Sequence, residues 1–507
     1  MYVRKKANKS GSISVQIFTK IDGKYKLIKS IGSSKDKNEI DKFIIQAHEE
    51  IRKMSSLQSM FVFEKDQFIL DFFQNISNNQ IRTVGPELIF GKIYDRIGYN
   101  AIDDRLFRHL VISRLSFPLS KLKTVDYLQR YLGIEVKVDK IYRFMDKLSD
   151  TYKSQVEQIS FNRTKELLNG EIGIVFYDMT TLYFEASDED ELRQPGFSKD
   201  GKHSNPQIFL GLLIGLEGYA IGYDIFEGGI YEGHTLIPFI DRIKAKFDID
   251  KPIIVADSGL LNQKNINYLK ELGYQFILGG RVKNESKYIK DQILQINRED
   301  GHVTELKGSK GDRLILSYSL SRAKKDKHNR EKGLKRLEKK IKSNKLSKKD
   351  INNKGYNKYL KMSGEIKIEI DYEKFEEDAK WDGIKGYVTN TTLAASSVID
   401  NYKELWNIER AFRMSKTDLR IRPIYHRLRR RIEAHICISF VAYSIYKDLE
   451  RVLKLKESEI SVRNAYELTQ NIYQIEITLP ESNLSEKIML KLSDKQQELI
   501  NLINEFF

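Results

Sequence analysis

The sequence predicts an α/β protein: a mixed-sheet core, a β-containing insertion, and a mainly helical N-terminal region ahead of both. Three observations predict it. Between 171 and 280, runs apolar on both faces (EIGIVFYD, QIFLGLLIGL, PIIVAD, YQFILGG) alternate with amphipathic segments of helical length, as strands of a sheet covered on both sides do. Between 86 and 168 the periodicity is helical. After a last strand-like run, IKGYVTN at 384–390, comes SVIDNYKELWNIERAFRMSK at 397–416, an amphipathic stretch with no internal helix breaker.

Size and composition bound the rest. A chain of 507 residues exceeds what one hydrophobic core organises. Lys plus Arg minus Asp plus Glu is 86 − 71 = +15, which favours a polyanionic partner, nucleic acid before membrane. Cys437 is the one cysteine, in an apolar run, so no intrachain disulfide forms and a buried thiol is expected. One Cys and eight scattered His argue against a Cys/His zinc site. The opening MYVRKKANKSGSISVQ lacks an apolar signal region and no stretch nears 18 uninterrupted apolar residues. A soluble, cytoplasmic protein with no membrane partner is expected.

Residues 1–60 read as a small β/α module that suits DNA binding: SISVQIF and KYKLIKSIG are strands joined by a turn containing Asp22-Gly23, followed by a helix over 37–54. Lysines and Arg4 decorate the hairpin, and a basic β-ribbon can enter a DNA groove. The region 61–168 is helical. Within it, helices over 123–132 and 139–148 flank Gly133 and resemble a helix-turn-helix, with Lys140, Tyr142, Arg143 and Lys147 on the reading helix, or else form a structural pair. Residues 169–282 and 386–450 make the core, in the order β-β-β-α-β-α-β, with Thr235 and Asn262 as helix caps. Residues 283–385 interrupt it as a basic insertion domain; 321–361 carries 17 Lys/Arg against 4 Asp/Glu, a solvated face or a phosphate-contacting one. Arg420, Arg422, Arg427, Arg429, Arg430 and Arg431 then crowd twelve positions ahead of an apolar helix, and 451–507 forms a C-terminal region suited to dimerisation.

Chemistry enters with three carboxylates. Asp178 and Asp257 end two buried strands, where open α/β sheets place ligands. In 397–416, Ser397 and Asp400 form a capping pair, and Tyr402, Trp406, Glu409, Arg413 and Lys416 share one stripe beside the apolar stripe of Leu405, Ile408, Phe412 and Leu419. Strand-Asp, strand-Asp, helix-Glu, with a three-strand meander between the first two, is the order a ribonuclease H-like fold needs to converge three acids. Three hard anions repel one another without cations. They suit Mg²⁺ or Mn²⁺, and two such ions promote in-line displacement at phosphorus.

These residues resemble an insertion-sequence DDE transposase of the retroviral-integrase-like superfamily. The nearest branch carries Tyr, two residues, Arg, three residues, Glu, six residues, Lys; Tyr402, Glu409 and Lys416 match, while Leu405 occupies the Arg position. YDMTTLYFE, GFSKDGK, VADSGL and DGIKGYVTN are similar to its other blocks. The resemblance implies a Mg²⁺- or Mn²⁺-dependent enzyme with two ions per site, held by Asp178, Asp257 and Glu409. It would bind terminal inverted repeats, cleave there, and join 3′-hydroxyls to target DNA as a homodimer on paired ends, beside the bacterial nucleoid. DNA contacts are implied for Tyr402, Trp406, Arg410, Arg413 and Lys416, with Lys199, Arg420, Arg422, Lys140 and Arg143 added from the basic surfaces. A ribonuclease H-like nuclease without strand transfer and a non-catalytic DNA-binding descendant are the competing functions.

Overall fold

The computed structural model describes residues 1–21, 23–58, 64–185, 188–196, 198, 201, 204–247, 249–260, 262–343, 346–352, 355–363, 367–479, 482 and 484–506, without the side chains of 55–58, 64–68, 75, 348, 363 and 367. The chain divides into two compact units, Met1–Gln80 with Ile477–Glu486, and Ile81–Glu476 with Lys487–Phe507.

In the first unit, β1 (Tyr2–Ala7), β2 (Ile13–Ile21) and β3 (Lys24–Ser34) form an antiparallel sheet in that order. Helix α1 (Lys37–Gln58) lies on one face, because Val15 and Ile17 alternate towards Ile40 and Ala47 and are buried with them. Helix α2 (Glu64–Asn75) follows. The predicted hairpin and helix are present; β1 was not expected, since YVRKKA reads as a basic run rather than a strand.

The second unit begins with β4 (Ile81–Thr83) and the helices α3 (Lys92–Ile97), α4 (Arg105–Ser116), α5 (Lys121–Leu132), α6 (Val138–Lys147) and α7 (Lys153–Leu167). Ser120 caps α5 by accepting from the Lys123 amide, and Gly133 ends it in the left-handed conformation at φ 69°, which only a residue without Cβ adopts cheaply. Then come β5 (Ile174–Tyr183), β6 (Gln207–Ile214), β7 (Ala220–Glu227), α8 (Leu236–Lys246), β8 (Ile253–Ala256), α9 (Gln263–Glu271), β9 (Phe276–Gly280), α10 (Lys287–Leu294), β10 (Val303–Lys307) and β11 (Arg313–Tyr318). The excursion α11 (Leu320–Lys342), β12 (Leu360–Ser363), β13 (Lys367–Ile370) and α12 (Tyr372–Ala379) returns through β14 (Ile384–Thr389). The chain closes with α13 (Ala395–Lys403), α14 (Trp406–Thr417), α15 (Arg429–Leu455), α16 (Val462–Thr469), β15 (Tyr473–Thr478), β16 (Ser485–Met489) and α17 (Asp494–Phe506).

One eight-stranded mixed sheet, ordered β10-β11-β14-β9-β8-β5-β6-β7, organises this unit. Its centre is parallel, β5 with β8 and β8 with β9, and its flanks are antiparallel. Both faces are covered. Phe176, Val255 and Ile277 point to a core shared with α3, α4, α6 and α13 to α15, while Val175, Tyr177, Ile254 and Ala256 point to α8 and α9. That two-sided burial is why these strands read as continuous apolar runs. Cys437 is buried within α15, as expected.

Five expectations change. Asp178 does not end its strand: β5 runs on to Tyr183 because antiparallel pairing with β6 continues, and only the parallel pairing with β8 stops, at Tyr177↔Ala256. The stretch 397–416 is two helices. Leu405 N–H donates to Tyr402 O at 3.2 Å, Asn407 N–H to Glu404 O at 2.9 Å and Ile408 N–H to Leu405 O at 3.1 Å, three-residue turns that re-aim α14 so that Tyr402, Leu405, Ile408 and Phe412 all reach one core. Ala394, not Ser397, precedes α13, and Asp400 pairs with Lys403 at 2.9 Å. The 283–385 insertion is not wholly separate: β10 and β11 extend the main sheet through β14, leaving only α11 to α12 as an excursion with its own small core around Leu337, Tyr359 and Phe375. Asn262 caps α9 as predicted, but the Thr235 hydroxyl donates to Glu232 O instead of capping α8.

Candidate active site

The parallel centre of the sheet sets the site. Register pairs Tyr177 with Ala256 and Ala256 with Leu278, so Asp178, Asp257 and Gly279 stand at one level on three neighbouring strand positions. Gly279 is paired in turn with Tyr387 of β14. Side chains alternate along a strand, and Phe176, Val255 and Ile277, two residues earlier, face the core under α13 and α14. The two aspartates therefore share that face, and both are half-buried.

Tyr402, the last large side chain of α13, closes over this row. A Cβ on Gly279 would come within 2.5 Å of the Tyr402 hydroxyl and 2.9 Å of the Ser258 amide, so the close approach requires glycine. Burial, and then the charges of Asp257, Tyr387 and Asp178, raise the Tyr402 phenol far above its ordinary value and hold it protonated. Tyr387 meets Tyr402 edge to face at 4.9 Å, and Lys385 Nζ lies 4.3 Å from the Tyr402 ring centre. Burial and the neighbouring Arg322 bring Lys385 down to about 8, against the opposing pull of Glu409. Lys385 thus lies against Tyr402 within the field of Glu409, which is exposed on α14.

The Asp257 loop is ordered from both sides. Asp257 Oδ1 accepts from the Gly259 amide, and Arg281 donates to Ser258 O at 2.9 Å and Gly259 O at 3.4 Å. Glu232 arrives from the β7–α8 connection: a Cβ on Gly259 would stand 2.8 Å from Asp257 Oδ1 and 3.4 Å from Glu232 Oε2. On the opposite face Tyr177 donates to Thr235 at 3.1 Å, and Thr235 reaches Met179, fixing the residues either side of Asp178. Glu232, Arg281 and Lys385 were not selected from sequence. Lys385 lies inside the DGIKGYVTN block, but only β14's place beside β9 reveals which way it points.

The donors are oxygen-only and suit a hard divalent cation. Asp178 and Asp257 fit such an ion as a pair. The third acid does not complete the set here: among the described residues, no three His, Cys, Asp or Glu side chains are grouped closely enough to hold a metal ion.

The DNA-contact expectations divide. Tyr402 is 9% exposed, so its ring supports the site rather than facing a phosphate. Leu405, at the branch's Arg position, is buried in the same core. Trp406 is 51% exposed with the Arg410 guanidinium 5.7 Å from its ring, so it stands at the surface. Arg410 is itself ion-paired with Glu450. Arg413 and Arg420 are exposed; Lys416 is half-buried. Arg422 covers the Tyr183 ring at 5.4 Å. Arg427, Arg429, Arg430 and Arg431 pair with Asp188, Glu433 and Asp146, so much of the arginine run is spent on ion pairs. Lys140 and Arg143 occupy the exposed side of α6, opposite Ile141, Phe144 and Met145. Lys199 lies outside the described residues.

A mixed sheet covered on both faces thus carries an aspartate pair at its parallel centre. The model of the transposase DDE domain matches residues 169–445, more than half of the chain, and the chain belongs to that family. It is accordingly a DNA transposase, of a family that in general cleaves and transfers DNA with divalent metals. No curated protein matches it. Among solved structures it is similar to a piggyBac transposase synaptic complex with hairpin DNA, at 10% identity and a TM-score of 0.40, over 76% of this chain and 79% of that one, too loose a likeness to carry an argument.

Proposed function

We propose that the chain binds the terminal inverted repeats of an insertion sequence, cleaves at the ends, and joins the freed 3′-hydroxyls to target DNA. The observation that carries this is the Asp178–Asp257 pair, at one level of neighbouring parallel strands, inside the stretch the family model matches. The core is of ribonuclease H-like type on this reading, supported by the order β7-β6-β5-β8-β9.

Asp178, Asp257 and Glu409 are the proposed ligands of Mg²⁺ or Mn²⁺, two ions per site, with Glu409 brought to the pair by a movement of α14. Bound there, the ions supply activation of the attacking oxygen and neutralisation of the charge that develops at phosphorus. The protein's own part is positional. Arg281 and the Gly259 amide hold Asp257 in place, and Tyr402, kept neutral, packs the row without adding charge. Lys385, seated over the Tyr402 ring with Arg322 in its field, offers positive charge to a DNA phosphate. Exposed Arg413, Arg420, Lys140 and Arg143, with Trp406, are the proposed DNA contacts; joining two ends calls for two such chains, a homodimer on paired ends. Among the described residues no helix is long and apolar enough to cross a membrane.

The test is incubation of the purified chain with labelled duplexes carrying the DNA that flanks its gene, plus a target plasmid. Metal-dependent nicking at the repeat boundary and labelled joint products are expected. Cleavage without joined products would favour the nuclease alternative.

A further inference from the structure

The sheet of the first unit has a face that α1 does not cover. Val3, Ile13, Val15, Ile17 and Ile31 turn towards α1. The alternate set turns away: Tyr2, Arg4 and Lys6 on β1, Phe18 and Lys20 on β2, Tyr25 and Leu27 on β3. Tyr2 opposes Phe18, Phe18 opposes Leu27, and Lys20 opposes Tyr25. Tyr25 is 62% exposed and Tyr2 40%, so three rings form a strip open to solvent on a sheet whose other face already has its core. A contiguous exposed apolar strip ringed by cations marks an interaction surface.

Charge selects the partner. Residues 1–35 hold nine Lys/Arg and one Asp/Glu; residues 36–58, mostly α1, hold four and five. The excess therefore belongs to the sheet, not to the helix. Lys29, on the α1 side, is neutralised by Glu50 at 2.8 Å. Among the described residues, no acid pairs with Arg4, Lys6 or Lys20 on the outward side, and the cations lie along the rings instead, Arg4 5.4 Å from Phe18 and Lys20 5.7 Å from Tyr25.

We propose that this outward face of β1, β2 and β3 is a duplex-DNA docking surface, seated in the major groove with Arg4, Lys6 and Lys20 on the flanking phosphates. Three strands span about 10 Å between outer axes, and the major groove is about 12 Å wide. Duplex is favoured over single-stranded nucleic acid because base stacking needs a free ring face. Here Tyr2 stacks on Phe18 at 6.3 Å and Tyr25 meets Tyr2 edge-on at 6.2 Å, so the rings are already engaged with one another. The inference rests on the reading of the chain as a DNA-acting enzyme, and adds to it a second surface separate from the acidic row.

The experiment uses the full chain without metal, and measures anisotropy of a labelled repeat-end duplex across a salt series. The variant Arg4→Ala/Lys6→Ala/Lys20→Ala should flatten the log-log salt slope by about 2 to 3, near 0.9 for each lost phosphate contact. Affinity should fall at least about tenfold at low salt, and Tyr25→Ala should weaken binding with the slope intact. The control Lys42→Ala/Lys53→Ala, on exposed α1 positions, should change neither. A wild-type slope and affinity in the triple variant would overturn the proposal, as would an equal loss in the α1 control. Loss of single-stranded affinity with duplex affinity unchanged would overturn the duplex assignment. Metal-dependent cleavage at saturating protein, measured in parallel, separates this outcome from failure of the transposase reading: it should persist in the triple variant, and its absence in the wild type would count against that reading alone.

Discussion

Replacing Gly279 with alanine probes the aspartate row without touching a carboxylate. The new Cβ would lie 2.5 Å from the Tyr402 hydroxyl and 2.9 Å from the Ser258 amide, where ordinary contact begins at 3.4 Å. Relief requires Tyr402 to retreat by about 1 Å and the Asp257–Gly259 turn to shift by about half that, because the second neighbour is backbone. Overpacking of this kind costs about 1–3 kcal/mol in stability. A misplacement of about 1 Å costs about 10²-fold in rate, so carrying Asp257 by half that should cost about tenfold. Gly173→Ala is the matched control, since a Cβ there meets nothing within 4 Å. Thermal melts and metal-dependent cleavage of a labelled end duplex should show Gly279→Ala destabilised and slow, with Gly173→Ala near wild type. Adding Tyr402→Phe should recover part of the loss by removing the 2.5 Å contact. A Gly279→Ala protein that melts and cuts like wild type would refute the placement of Tyr402 over the row.

Neutralising exposed lysines of α11, such as Lys324, Lys325, Lys332 and Lys335, should flatten the salt dependence of DNA binding if that helix contacts backbone phosphate; an unchanged slope returns it to a solvated role. His435 is buried, donates from Nε2 to Ile421 O at 2.9 Å, packs on the His426 ring, and is faced by Arg114 at 3.5 Å and by Lys121, so burial and then these two cations keep it neutral in the fold. Because the unfolded chain then binds the extra proton, stability should fall as pH drops below about 6.5, and His435→Gln should remove the His435 share of that fall in denaturant titrations. Light scattering should give a monomer or weak dimer without DNA and a stable dimer with a repeat-end duplex; one chain per strand-joining complex would refute pairing of ends.

The parts of the chain legible in sequence were those whose signal is local. Two-sided burial wrote β5, β6, β8 and β9 as apolar runs, and Asn262 and Gly133 marked helix ends by their own chemistry. What escaped depends on pairing between distant segments. Nothing local says that Arg313–Tyr318 joins β14, that β5 outlasts its parallel neighbour, or that Glu232 arrives beside Asp257. The break at Glu404–Leu405 escaped for another reason: no proline or glycine marks it, and tertiary burial of Leu405 tightens the turn. The same burial converts Tyr402 from an expected DNA contact into the residue that packs the site.

Whether Asp178, Asp257 and Glu409 act together as one metal-dependent centre is decided by single-turnover cleavage of a labelled end duplex by the wild type, Asp178→Asn, Asp257→Asn and Glu409→Ala. Each variant should bind the duplex with wild-type affinity in the absence of metal yet cleave at least about 10³-fold more slowly. Cleavage by any one of the three at near wild-type rate would contradict the assignment.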